Sequence, residues 1–210
     1  MGENYFSSTI PTEIGLLTNI QEILFSRGGF IGQIPSEIGN LSNMLLLQLD
    51  ENSINGTIPT EVGGLVNLEI FHIDHNDRIS GTIPTEIGSS SLLRSIKLQG
   101  NSLTGTIPTQ LFSLSNLVEV FLSYQSLSGT FPTEIGYMDQ VVNFHMVETN
   151  VTGTVPTELG NLTNSQWVSL NHNQFVGTIP SEIGYMASME SFTVEVSAFV
   201  FGIVQPILSC

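Results

Sequence analysis

Apolar residues recur at fixed offsets along nearly the whole chain, with one round of the pattern about every 24 residues. In the segment LSNMLLLQLDENSINGTIPTEVG, the apolar positions predicted to point inward are Leu41, Met44, Leu47, Leu49, Ile54, Ile58 and Val62. Leu47 and Leu49 are two residues apart, which is the spacing of a short strand with one buried face. The residues that follow keep neither a strand nor a helix period, so we expect them to form the return path of one coil.

The octet GTIPTEIG marks the same point in every round of this pattern. Its copies place prolines in steps of 24 residues, with a single step of 25, at Pro11, Pro35, Pro59, Pro84, Pro108, Pro132, Pro156 and Pro180. Self-similarity at such a period is the signature of a solenoid. Within the octet, glycine permits a tight turn, the residue before proline is extended, and proline opens a short helical turn. The octet is therefore predicted to be scaffold. Parallel strands are expected at a fixed distance from it, centred on Ile23, Leu47, Phe71, Ile96, Val120, Phe144, Val168 and Phe192.

Asparagine occupies one fixed position after the predicted strands, at Asn4, Asn52, Asn76, Asn101 and Asn173. An amide side chain there can bind backbone groups left unpaired where the chain leaves the strand, so stacked coils should build a ladder of amides. We expect a weaker ladder where other residues stand at this position, at Gly28, Gln125, Thr149 and Ser197. Asp77 and Arg78 add one residue to the third coil, which predicts a small bulge.

The combined pattern LxxLxLxxNxLxGxIPxxIG resembles the leucine-rich repeat. GTIP at this period resembles the plant-type subclass, as in receptor-like kinase ectodomains and polygalacturonase-inhibiting proteins. The resemblance covers residues 4 to about 195 and implies a right-handed solenoid. It also implies short parallel β-strands on the concave face, with short second strands and 3-10 or helical turns on the return path.

The predicted domain organisation is a solenoid of about eight repeats over residues 1–198 and a non-repeat tail over 199–210. Solenoid ends need caps, and we expect the tail to cover the last coil. The paired cysteines that usually cap plant-type ectodomains are missing from this sequence, which we interpret as a fragment or a relative without such caps.

Composition narrows the classes of partner. Nineteen acidic against four basic residues give a formal net charge of −15. This field repels phosphate backbones and anionic membranes, so no nucleic-acid partner is expected. The sequence shows no secretory signal and no membrane-spanning segment. Cys210 is the only cysteine, and we predict no metal site and no cofactor. The family resemblance implies an extracellular or cell-surface location.

The strand positions that point outward on the predicted concave face are free to differ between coils. Eight residues there are candidates for ligand binding: Phe121, Tyr124, His145, Trp167, His172, His72, His75 and Lys97. Exposed aromatic residues are frequent in binding hot spots. The alternative is that the consensus simply excludes such residues elsewhere. A metal site at His72, Asp74 and His75 is disfavoured, because alternate strand residues face opposite sides.

No acid, base and nucleophile converge at a defined spacing, so an enzyme is not expected. We interpret the chain as a non-enzymatic recognition module that binds a protein, peptide or glycan on its concave face, within a receptor-like protein. Two alternatives stay open: an inhibitor of cell-wall enzymes of the polygalacturonase-inhibitor type, and a structural or ice-interacting solenoid suggested by columns of threonine. The oligomeric state is left open. Glycosylation sequons begin at Asn40, Asn55, Asn150 and Asn161.

Overall fold

Successive coils stack on one another, and each contributes one short strand to a common sheet, in a computed structural model that describes residues 8–195. The predicted capping tail over 199–210 lies outside the described residues, as do Asn4 and Ser197 of the predicted ladder.

The largest sheet has eight parallel strands in sequence order. They are Glu22–Leu24, Leu46–Gln48, Ile70–His72, Ser95–Lys97, Glu119–Phe121, Asn143–His145, Trp167–Ser169 and Ser191–Thr193. The central residues pair in register, as Ile23 does with Leu47 and Leu47 with Phe71. The predicted strand centres are therefore confirmed. We call this the eight-stranded sheet.

The inward side of this sheet is the core. Leu47, Phe71 and Phe144 are at most 1% exposed, and each is the middle residue of its strand. Fully burying a side chain of this size is worth roughly 1.5–3 kcal/mol. All seven residues predicted to point inward between Leu41 and Val62 are buried, which confirms the periodicity argument.

The return path carries short helical turns that begin directly after the repeated prolines. Seven are 3-10 helices: Thr12–Leu16, Ser36–Asn40, Thr60–Gly64, Thr85–Ser89, Thr133–Tyr137, Thr157–Asn161 and Ser181–Tyr185. The eighth, Thr109–Phe112, is α-helical. Phe112 stands there in place of the usual glycine, and its ring is fully buried, 6.1 Å from the ring of Phe131.

A second parallel sheet lies on the return path before the prolines. Its five strands are Ile31–Gln33, Ser53–Thr57, Arg78–Gly81, Ser102–Thr106 and Ser126–Ser128, and a separate pair follows at Thr152–Gly153 and Gln174–Phe175. The extra residue of the third coil is absorbed before Arg78, where the Ile79 N–H donates to the Asn76 carbonyl at 2.9 Å. The extra residue therefore lies in a turn directly before this strand, whose pairing with the preceding strand is continuous.

Glycine in this second sheet serves a close contact between coils. Gly81 has φ +77°, and a Cβ built there would lie 2.9 Å from the Thr57 methyl group. The same relation joins Gly105 to Thr82. Thr57 and Thr82, each the first threonine of its octet, therefore fill the space that the first glycine of the next octet leaves empty.

Candidate functional site

The outward face of the eight-stranded sheet carries the side chains that differ between coils. The first and third residues of each strand point outward, because the middle residue is buried. Of the candidate residues, His72, Lys97, Phe121 and His145 are third residues of successive strands, and Trp167 is a first residue. Tyr124, His75 and His172 lie beyond the strand ends.

His72 is the centre of a polar chain that crosses four strands. Its Nδ1 lies 3.2 Å from Gln48 Nε2, and its Nε2 lies 2.8 Å from Ser95 Oγ. The Ser95 hydroxyl donates to Glu119 Oε2 at 2.9 Å. Because that hydroxyl has one hydrogen, His72 Nε2 must carry the proton that binds Ser95, and Nδ1 accepts from Gln48.

The environment holds His72 in this neutral form. Burial, followed by the nearby charge of Lys97, lowers the pKa of His72 to about 4. Burial raises the pKa of Glu119, but the Ser95 hydrogen bond and Lys97 outweigh it, so that pKa lies below its ordinary value. The chain from Gln48 to Glu119 is thus a fixed polar network at neutral pH.

Lys97, Phe121 and His145 form a stack along the third-residue column. The rings of Phe121 and His145 are parallel within 5°, with centroids 4.7 Å apart. Lys97 Nζ lies 5.2 Å from the Phe121 centroid and 3.5 Å from Glu119 Oε2. Burial lowers the pKa of His145. The structure therefore brings three predicted site residues into direct contact, although Phe121 and His145 are half-buried rather than fully exposed.

Trp167 stands in the other outward column, between Asn143 and Ser191 on the neighbouring strands. Its residue surface is 39% exposed. Since both neighbours are smaller, the indole is the largest side chain at this end of the sheet and presents an apolar ring to solvent.

A row of left-handed residues follows the strand ends. Arg27, Glu51, His75, Tyr124, Glu148 and His172 all have φ between 53° and 59°. An αL conformation is uncommon outside glycine. Tyr124 is 55% exposed. His172 Nδ1 lies 2.9 Å from Glu195 Oε2, and Arg27 binds Glu51 through two hydrogen bonds.

Two carboxylates, Asp50 and Asp74, sit beside this row on adjacent coils. Asp50 Oδ1 accepts from the Ser26 hydroxyl at 2.6 Å. Asp74 is only 9% exposed and accepts from Gln99 Nε2 at 3.4 Å. Burial, and then the charge of Asp50, raise the pKa of Asp74. Neither carboxylate is among the residues predicted as a site, although both occupy the variable outward positions that the repeat makes recognisable.

The amide ladder lies beneath the site and is confirmed. Asn52 Oδ1 accepts from the N–H groups of Gly28 and Phe30, and its Nδ2 donates to the Phe25 and Leu49 carbonyls. At the predicted weak position Gln125, Nε2 donates to the Leu122 carbonyl, while Oε1 is buried without a hydrogen-bond partner in the part of the chain that the structure describes.

A second set of asparagines, which sequence analysis missed, joins the coils on the return path. Each Nδ2 donates to a carbonyl 25 residues earlier in the chain, from Asn43 to Thr18, Asn67 to Ser42, Asn116 to Ser91 and Asn164 to Asp139. Their common position eight residues after the proline was the available signal.

No group of three or more histidine, cysteine or acidic side chains within residues 8–195 is arranged to hold a metal ion. Over the same range, no helix has the length and apolar character needed to cross a membrane.

Comparison with known proteins agrees with this architecture. The Leucine Rich Repeat family profile matches residues 92–114 and 164–186. The plant peptide hormone receptor RGFR1, solved in complex with RGF2, shares 35% identity at a TM-score of 0.85, over 87% of this chain and 29% of that chain. The Arabidopsis receptor kinase HAESA, solved with the peptide hormone IDA and the co-receptor SERK1, shares 32% identity at a TM-score of 0.85, over 88% of this chain and 31% of that chain.

The chain belongs to the leucine-rich-repeat family, and its structure is similar to the ectodomains of plant receptor kinases. The chain spans less than a third of the length of these two receptors, 29% and 31% respectively. A plant ice-binding protein shares 18% identity at a TM-score of 0.60, over 94% of this chain and 82% of that chain, which shows the fold alone. No curated protein matches the chain.

Proposed function

We propose that the chain is a non-enzymatic recognition module of a receptor-like protein at the cell surface, which binds a protein or peptide on the outward face of the eight-stranded sheet. The observation that carries this proposal is the confinement of chemical variety to that face. The octets repeat one scaffold, whereas Lys97, Phe121, His145 and Trp167 present different side chains on successive strands.

The exposed rings supply the expected binding energy. Trp167 and Tyr124 are 39% and 55% exposed, and aromatic residues of this kind dominate binding hot spots. Phe121 and His145 stack on each other, which fixes the orientation of both rings before a partner binds. A partner that covers these rings removes apolar area from water without ordering mobile side chains first.

The test is capture of extracellular proteins from the source organism on the immobilised intact chain, followed by titration of the captured partner. Trp167→Ala should weaken its binding by about 2 kcal/mol or more, and Tyr124→Ala should weaken it as well. Glu86→Gln, an exposed change on a return-path helix, is the control and should leave affinity unchanged. Equal losses from all three variants would place the binding site elsewhere.

The same experiment separates the inhibitor alternative and the glycan alternative. A captured wall-degrading hydrolase whose activity falls on binding would make the chain an inhibitor of the polygalacturonase-inhibitor type. Retention on immobilised polysaccharide, lost in Trp167→Ala, would identify a glycan ligand on the same face.

One observation favours the ice-interacting alternative as a second candidate. Exposed threonines recur at one octet position, at Thr57, Thr82, Thr106, Thr130 and Thr154. Hydroxyl residues lie beside some of them on the next coil, since Thr57 pairs with Ser80, Thr106 with Ser128 and Thr130 with Thr152. Replacing Thr82, Thr106 and Thr130 by lysine should abolish inhibition of ice recrystallisation if this grid binds ice. If the unsubstituted protein does not inhibit ice recrystallisation, the ice-interacting alternative is excluded.

A further inference from the structure

We propose that the ligand is a cationic protein segment, whose lysine or arginine side chains bind the outward face of the eight-stranded sheet beside Asp50 and Asp74 and over the Trp167 and Tyr124 rings. This inference rests on the proposed function and adds the charge class of the partner.

The first argument is the charge of the face. Among the described residues on the strands of the eight-stranded sheet and the three residues directly after each strand, seven are acidic and two are basic: Glu22, Asp50, Glu51, Asp74, Glu119, Glu148 and Glu195 against Arg27 and Lys97. Arg27 is bound to Glu51 and Lys97 to Glu119, so both cations are engaged within the face. An acidic ligand would therefore meet carboxylates, whereas a basic ligand would complement them.

The second argument is the state of Asp50 and Asp74. Asp74 is nearly buried, its bound donors come from neutral Gln99 and from His75 at 3.7 Å, and no lysine or arginine in the described residues forms an ion pair with it. Burial and Asp50 raise the pKa of Asp74 by more than a backbone hydrogen bond, His75 and Lys97 lower it, so its charged form is only partly compensated in the free protein. A ligand cation would complete this compensation.

Gln99 provides an independent sign of missing donors. Its Nε2 binds Asp74, while its Oε1 is buried without a hydrogen-bond partner among the described residues. A ligand cation that takes over Asp74 would release the Gln99 amide, which could then turn its oxygen toward the same donor. Satisfying a buried acceptor in this way is favourable.

The third argument is the arrangement of the aromatic rings. Phe121 already has Lys97 on one side and His145 stacked on it, whereas Trp167 and Tyr124 are exposed. Arginine and lysine bind the faces of such rings through cation–π contacts. The stack at Phe121 shows within the protein itself the kind of contact that we infer for the ligand.

The experiment uses two labelled synthetic peptides of about twelve residues, identical except that the arginines of one are replaced by citrulline, which keeps the shape and removes the charge. Fluorescence anisotropy at about 0.15 M salt measures their affinity for the intact chain. The arginine peptide should bind about tenfold more tightly than the citrulline peptide. Equal affinity of the two peptides would overturn the inference.

Two double variants with the same change of net charge locate the effect. Asp50→Asn with Asp74→Asn should lower affinity for the arginine peptide about fivefold or more, whereas Glu61→Gln with Glu86→Gln on the return path should change it less than about twofold. Equal losses would show that the overall field, and not this face, attracts the peptide, and would overturn the inference. Asp50→Asn alone, at a half-buried residue, serves if the double variant does not fold.

The result is separable from the test of the proposed function. Suppose that a natural partner binds the chain, that Trp167→Ala abolishes this binding, and that the contacted segment of the partner is not basic. The proposed recognition function would then stand, and only the inference that the ligand is cationic would be refuted.

Discussion

Asn101 and Asn76 are joined from one coil to the next, because the backbone N–H of Asn76 donates to Asn101 Oδ1 at 3.1 Å. The Asn76 side chain in turn reaches the preceding coil, because its Oδ1 accepts from the Ile54 N–H at 3.0 Å. Its Nδ2 donates to the Leu49 and Ile73 carbonyls. Each amide therefore satisfies backbone groups of two coils. Since these groups are buried, the ladder fixes the turns that carry the outward-facing site residues.

Asn76→Ala should be among the most destabilising single substitutions in the chain. It leaves the buried Ile54 N–H without this acceptor, at a cost of roughly 1–3 kcal/mol. It also removes one of the two amide donors from each of the Leu49 and Ile73 carbonyls. Asn43→Ala is the matched control, since Asn43 is exposed and its amide makes one hydrogen bond, to the Thr18 carbonyl. Urea denaturation should show a much larger loss for Asn76→Ala. Equal losses would mean that the ladder adds little to stability.

Gln125→Asn should stabilise the protein. Gln125 stands at the ladder position but leaves its Oε1 buried and unpaired, because its longer side chain does not place both amide atoms where asparagine places them. Asparagine there should regain about 1 kcal/mol, seen as a higher melting temperature. The control is Gln140→Asn, at an exposed residue outside the ladder, which should have little effect. A lower melting temperature for Gln125→Asn would contradict the assignment of the unpaired oxygen.

The repeat architecture could be predicted from sequence almost completely, whereas the grouping of the site residues could not. Periodicity sufficed for the strand centres because every inward position is copied coil after coil. It gave no information on which outward side chains bind one another. The His72 tautomer depends on the single hydroxyl hydrogen of Ser95, and the exposure of Phe121 depends on stacking with His145. Each of these contacts occurs in only one place in the described structure, so the repeat pattern does not predict it.

Gly160→Ala should be costly, whereas Gly184→Ala, at the equivalent octet position one coil later, should not. A Cβ at Gly160 would press on the backbone carbonyl of Glu182 in the next coil, while a Cβ at Gly184 meets nothing within 4 Å among the described residues. Overpacking of this kind costs about 1–3 kcal/mol. Thermal melts of the two variants measure the difference, and similar melting temperatures would show that the coils move apart freely.

A truncation tests the predicted cap, and Gly184→Ala adds a second measurement. Deleting residues 199–210 should lower the melting temperature or the solubility, because the last coil would then expose apolar side chains such as Met189 and Phe192, which are partly buried against the core. If the tail packs over this end, Gly184→Ala should be less tolerated in the full chain than in the truncated chain. An unchanged protein after truncation would exclude a capping role.

Stability should fall as the pH is lowered from about 6.5 towards 4, because of His72. Its pKa is about 4 in the folded protein against an ordinary 6.5, so the unfolded chain binds the proton first and is favoured as pH falls through this interval. Burial lowers the pKa of His145 and adds a change of the same sign.

The carboxylates also contribute to the pH dependence of stability. The lowered pKa values of Glu51 and Glu119 act in the same direction as His72, but only below their ordinary 4.5. The raised pKa of Asp74 acts in the opposite direction. Melting temperatures between pH 7.5 and 5 therefore avoid the effect of these two glutamates, and comparison with a His72 variant separates His72 from Asp74. His72→Gln, which cannot be charged, should flatten this slope. A slope that is unchanged in His72→Gln would show that the network from Gln48 to Glu119 does not hold His72 neutral.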